Sequence, residues 1–146
     1  MKISKLKLQN DKLLIKSIIH IQNVYNYISN MDYNTFKNDT KTVDACITRL
    51  TQIGELERRF DTNFKQTFSE IPWKEINGLR NIIVHNYDSV DYDTLWETIQ
   101  TDLPNLEEMY LNLLINIFEY SLTDLKNAGI DIYPLNRQIL ENELEI

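Results

Sequence analysis

Leu14, Ile18, Ile21, Tyr25 and Ile28 recur at spacings of four and three, and this spacing constrains the chain more than any other feature. At 100° per residue, those side chains share one helix face. Lysines and Gln/Asn fill the opposite face, so the spacing predicts an amphipathic helix over about residues 8–30. A second helix is expected over about 35–60, with Val43, Ile47, Leu50 and Gly54 as its stripe. Gly54 inside that pattern costs about 1 kcal/mol against Ala and suggests close approach of another helix. The stretch FDTNFKQTFSEIPW reads as a loop or short helix closed by Pro72. A third helix begins near Trp73 and carries Ile76, Leu79 and Ile83. A fourth starts near Asp93, with Asp91 or Asp93 as N-cap. Pro104 is expected to kink or break it, because proline lacks an N–H and clashes one turn back. Periodicity resumes at Leu106, Tyr110, Leu113 and Ile117 and fades near Leu125. NAGID is a stop signal, and residues 133–146 form a short acidic tail.

No segment reads convincingly as a strand. With only three Gly and three Pro in 146 residues, long helices are favoured over turn-rich structure. The expected fold is all-α, an up-and-down bundle forming a single domain over 1–146. Residues 111–146 are read as a C-terminal helical extension whose role is open.

Charge and composition narrow the function. The net charge of −7 argues against broad nucleic-acid affinity. Residues 1–80 nevertheless carry 13 Lys+Arg against 9 Asp+Glu, so about +4, and the remainder carries 2 against 13, so about −11. The N-terminal part can therefore offer a local basic surface. Two His and one Cys make a Cys/His zinc site nearly impossible, and no metal or cofactor is expected. No Gly-rich phosphate loop or nucleophile elbow is present. Cys46, flanked by apolar residues, reads as a buried free thiol, and His20 as a structural residue. No apolar run is long enough to span a membrane, no signal peptide is recognisable, and the expected location is cytoplasmic.

The sequence RNIIVHNY, residues 80–87, stands apart. On a straight helix Arg80 and His85 are about 140° apart, and Arg80 and Tyr87 about 20°. Arg is a permanent forked phosphate ligand, and His moves protons near pH 7. These groups suit attack of a ribose 2′-OH on its own phosphodiester, with His85 as base or acid and Arg80 stabilising the phosphorane. They also suit an ordinary role, in which Arg80 pairs with a carboxylate and His85 caps a helix.

Arg80, His85 and Tyr87 match the R-x4-H-x-Y motif of the HEPN superfamily, and the chain resembles its HepT-like toxins in particular. YNTFKNDTKTVDACITRLTQIGELERRF resembles that family's second helix, including Ile53-Gly54-Glu55. IPWKEINGLRNIIVHNYDSVDYDTLWETIQTDLPNL resembles its central block. Two positions depart from the pattern: Asn86 stands where the family commonly has Asp, and Ser89 where it commonly has Gly. The resemblance implies a homodimeric HEPN-type helical bundle with the two motif segments facing one cleft. It implies a metal-independent endoribonuclease toxin with Arg80 and His85 as the catalytic pair and Asn81 and Asn86 as supporting candidates. It also implies a minimal nucleotidyltransferase antitoxin that transfers AMP from ATP onto Tyr87. The alternative is a non-catalytic HEPN nucleotide-binding or protein-interaction module.

Overall fold

A computed structural model describes residues 9–81 and 90–132. All described secondary structure is helical: α1 (Asn10–Tyr27), α2 (Tyr33–Lys37), α3 (Thr40–Glu57), α4 (Thr62–Thr67) and α5 (Trp73–Asn77), then a 3₁₀ turn (Gly78–Arg80). After residue 90 come α6 (Tyr92–Glu97), a π-helical segment (Thr98–Asp102), α7 (Leu103–Asn116) and α8 (Leu122–Asn127). The all-α expectation holds. Among the described residues, no helix is long and apolar enough to cross a membrane.

Local chemistry places the boundaries. The helix expected over 35–60 is two helices, α2 and α3. Asp39 turns the chain out of helical geometry and accepts a hydrogen bond from the Thr42 N–H at 3.1 Å, which gives α3 its own N-cap. Asp32 caps α2 through the Thr35 N–H. Asp91 caps α6, accepting from the Thr94 N–H at 3.0 Å and from its hydroxyl at 2.7 Å. Ser121 and Asp124 form a reciprocal capping box at the start of α8. Gly129, at φ +94°, ends the described helical part.

Pro104 neither breaks nor ends its helix. The run from Tyr92 to Asn116 is continuous, and Pro104 sits in the first turn of α7. The preceding turn is widened, with the Leu103 N–H donating to the Thr98 carbonyl five residues back. A π-turn spaces the carbonyls so that proline's missing donor and bulky ring are tolerated.

The core lies where α1 packs against α3 and α7. Leu14, Ile18 and Ile21 are fully buried, as are Cys46, Ile53, Leu103 and Tyr110, while Tyr25 and Ile28 are partly buried against them. The Cys46 thiol is free, and burial pushes its pKa up to about 12. The Tyr110 ring anchors an aromatic cluster with Phe60 at 5.9 Å and Trp73 at 6.1 Å. The indole N–H of Trp73 donates to the carbonyls of Lys65 and Phe68. This cluster folds the 60–73 segment under the bundle and fixes where α5 starts.

His20 bridges α1 and α3. Its Nδ1 lies 3.0 Å from Nη1 of Arg49, which also donates to the Tyr27 hydroxyl. Burial, then the Arg49 charge, lowers the His20 pKa, so the ring accepts as a neutral imidazole.

Residues 111–132 contribute to the same core through Leu111, Leu114, Phe118, Leu125 and Ile130. Chain exit is fixed by Gln22, whose Oε1 accepts from the Asp131 N–H while its Nε2 donates to the Asp131 carbonyl, both at 2.8 Å. The same Nε2 lies 3.3 Å from Oε2 of Glu107, which is buried.

Candidate active site

The last two turns of α3 build the seat for Arg80. A Cβ added to Gly54 would lie 2.9 Å from the Arg80 backbone nitrogen, 3.1 Å from the Asn77 carbonyl and 3.2 Å from the Arg80 Cβ. No side chain fits there, so glycine at this point lets the α5 end and the 3₁₀ turn rest directly on α3. The close approach expected of Gly54 is therefore made, and the segment approaching is the one that carries Arg80.

Two carboxylates hold this segment. Glu57 is buried, accepting from Nδ2 of Asn77 at 3.0 Å and from Nζ of Lys65 at 2.9 Å. It thereby ties α3, α4 and the α5 end together. Glu55 faces outward. Its Oε1 lies 3.3 Å from Nη1 of Arg80 and its Oε2 lies 3.9 Å from Nη1 of Arg58. The Arg80 side chain is 31% exposed, but its Nε is buried without a hydrogen-bond partner among the described residues. Asn81 is exposed, and its N–H closes the 3₁₀ turn onto the Gly78 carbonyl at 2.9 Å.

The α-helix expected to run from Trp73 through the motif stops at Asn77 and tightens to 3₁₀ geometry at Gly78–Arg80. The angles expected between Arg80, His85 and Tyr87 depend on residues outside the described part. His85, Asn86 and Tyr87 lie outside the described residues, as does Ile83. The ordinary pairing considered for Arg80 is present: it has a carboxylate partner in Glu55. That carboxylate is 46% exposed, and an exposed pair of this kind is weak, worth roughly 0–1 kcal/mol.

Glu57 and Asn77 were not singled out by sequence reasoning. A signal existed for Glu57, which falls three residues after Gly54 and seven after Leu50. A carboxylate on the apolar stripe of a helix is a candidate for burial with partners.

The fold and seat define the class: an all-α bundle with an arginine presented on a short turn beside a glycine–glutamate pair. Residues 17–113 match the family described as Ribonuclease HepT-like. That span takes in Gly54, Glu55, Arg80, His85 and Tyr87. "Putative RNase MJ1380" of Methanocaldococcus jannaschii is 38% identical over 85 residues, covering 58% of this chain and 78% of that protein. "Probable ribonuclease HepT" of Thermococcus cleftensis is 36% identical over 81 residues, covering 56% and 74%. "Putative RNase TTE0752" of Caldanaerobacter subterraneus is 32% identical over 87 residues, covering 60% and 78%. No solved structure matches. The chain belongs to the HepT-like ribonuclease family.

Proposed function

We propose that this chain is a metal-independent endoribonuclease and the toxin of a toxin–antitoxin pair, with Arg80 and His85 as its catalytic residues. The observation that carries this reading is the family match across the whole R-x4-H-x-Y motif. The seat of Arg80 agrees with it: a backbone pinned against Gly54 and a guanidinium that, among the described residues, is held by an exposed carboxylate. An arginine so placed can exchange Glu55 for a phosphodiester with little loss.

In the proposed reaction the ribose 2′-oxygen attacks the adjacent phosphorus and loses its proton to a base. The P–O5′ bond breaks, and the departing 5′-oxygen takes a proton from an acid. The products are a 2′,3′-cyclic phosphate and a 5′-hydroxyl. Arg80 neutralises charge building on the non-bridging oxygens. His85 supplies one proton-transfer group, and a homodimer with the two 80–87 segments facing each other supplies the second. Asn81 and Asn86 are supporting candidates, with orientation of the substrate as their proposed role. Tyr87 is the proposed modification site. A nucleotidyltransferase antitoxin transfers AMP from ATP to its phenol oxygen with release of pyrophosphate, and the added phosphate then competes with RNA for Arg80.

A second reading draws on two observations. The chain carries a net charge of −7, and Arg80 is already paired with Glu55. Under that reading the bundle binds a nucleotide or a protein and does no chemistry. RNA cleavage by the purified protein in EDTA separates the two. Arg80→Ala and His85→Ala are expected to lower the rate about 10²- to 10⁴-fold, with unfolding midpoints close to wild type. Full activity in His85→Ala would remove the ribonuclease assignment.

A further inference from the structure

The C-terminal end of α3 carries a cluster of cations that catalysis does not use. A shallow basin of about 390 Å³ lies there, lined by Gln52, Glu55, Leu56, Arg58 and Arg59. Among the described residues that line it, Glu55 is the acid. The Glu55 carboxylate holds Arg58 on one oxygen and Arg80 on the other. Two arginines thus share one carboxylate, and Arg59 lines the same basin, on a chain whose total charge is −7. The Arg58 side chain is 55% exposed, and Arg59 is exposed as well.

We propose that Arg58 and Arg59 form a second phosphate site, which takes the single-stranded RNA backbone next to the phosphodiester held by Arg80. The inference rests on the ribonuclease reading for its substrate, but not for its geometry. Arg58 and Arg80 share the Glu55 carboxylate, so Arg80 stands one carboxylate away from the basin that Arg58 and Arg59 line. A phosphodiester chain presents its charges in just such a close series, and each forked guanidinium can grip one phosphate bidentately. The basin is shallow, and its described lining residues are polar or charged apart from Leu56, with no aromatic ring among them. It therefore suits backbone contact, which is insensitive to base identity. Glu55 acts as a stand-in anion: it keeps the two arginines extended in the free protein and gives them up when phosphates arrive.

Arg58 and Arg59 also complement the negative end of the α3 dipole, a role that would be read in stability and not in RNA affinity. The test uses the full chain and a short fluorescein-labelled RNA carrying 2′-O-methyl groups, which lacks the attacking hydroxyl and so reports binding alone. Arg58→Gln and Arg59→Gln are each expected to weaken binding about tenfold. Each should also reduce the slope of log affinity against log salt by about 0.7. Glu55→Gln is expected to tighten binding, which a merely structural Glu55 would not do. Wild-type affinity and salt slope in the Arg58→Gln/Arg59→Gln double variant would overturn the proposal, as would failure of the wild type to bind this RNA. Cleavage of unmodified RNA, measured in parallel, keeps the two ideas apart. Binding that depends on these arginines in a wild type that does not cleave upholds the site and removes the ribonuclease. A cleaving wild type whose binding ignores them does the reverse.

Discussion

Replacing Glu107 with Gln should stabilise this protein at alkaline pH, against the usual expectation for a buried hydrogen-bonded residue. Glu107 sits on α7 with only 7% of its surface exposed. Burial raises its pKa from 4.5 to about 7, and the hydrogen bond from Gln22 only partly opposes that. Beside it the Tyr25 hydroxyl is buried without a hydrogen-bond partner among the described residues. Burial and the Glu107 charge together push Tyr25 beyond the ordinary phenol range. The folded pKa of Glu107 lies above the unfolded one, so between these values the folded state binds more protons. The contribution of this group is therefore fully present below about pH 4.5 and lost as pH rises through 7. A shift of this size corresponds to about 3 kcal/mol at most. Glu107→Gln keeps an oxygen to accept from Gln22 and never ionises. Its stability difference from wild type, from urea unfolding at pH 5 to 9, should grow through pH 7 and level off above 8. At pH 8.5 the variant should melt higher, by at most roughly 6–12 °C. If the difference between the two proteins does not change with pH, Glu107 is not the buried charge inferred here.

Gly54→Ala gains about 1 kcal/mol of helix propensity, yet its methyl meets backbone at 2.9 Å. Net destabilisation of about 1–2 kcal/mol is expected, with RNA cleavage falling further than that loss explains; a more stable and fully active variant would refute the seat described for Arg80. The homodimer is checked by light scattering: a strict monomer at micromolar concentration that still cleaves RNA would exclude a shared cleft. Tyr87→Phe should cost about 1 kcal/mol or less in stability, stay active, and take no AMP when incubated with the nucleotidyltransferase, ATP and Mg²⁺. Peptide mass spectrometry of the modified wild type should place the adduct on Tyr87, and an adduct on Tyr92 or Tyr110 instead would refute the site.

The helices were legible where one face is apolar and the other charged. The stripe Leu14, Ile18, Ile21 is buried as spacing requires, because burial alone decides that pattern. The break at Asp39 was harder to see. A capping Asp inside an otherwise periodic run carries the same letters as a solvent-facing one, and only the turn before it tells them apart. Pro104 misled for a related reason: proline's clash is certain in an α-helix, but a π-turn just ahead of it removes the clash, and π-turns have no composition of their own. The site divides the same way. Arg80, His85 and Tyr87 were legible as a motif, and Gly54 as an anomaly in a helix. What Gly54 faces, and the bond from Asn77 to Glu57, are contacts between segments about twenty residues apart. Linear spacing carries no information on those.

The π-turn at Thr98–Asp102 also fixes the rotational phase of everything after it. Leu95, Ile99 and Leu103 are spaced by four, and all are at most 1% exposed. In an unbroken α-helix a spacing of four drifts by about 40° each time, so the three would wind away from the core. A turn that holds more residues absorbs this drift and hands α7 over with Leu106 and Tyr110 facing inward. Winding Thr98–Asp102 into regular α geometry at the same chain length would add the rotation that the wide turn absorbs and turn α7 by about 100°. Tyr110 would leave its aromatic neighbours, and Glu107 would leave Gln22. For this helix, local regularity and global packing are opposed, and the sequence has settled on packing.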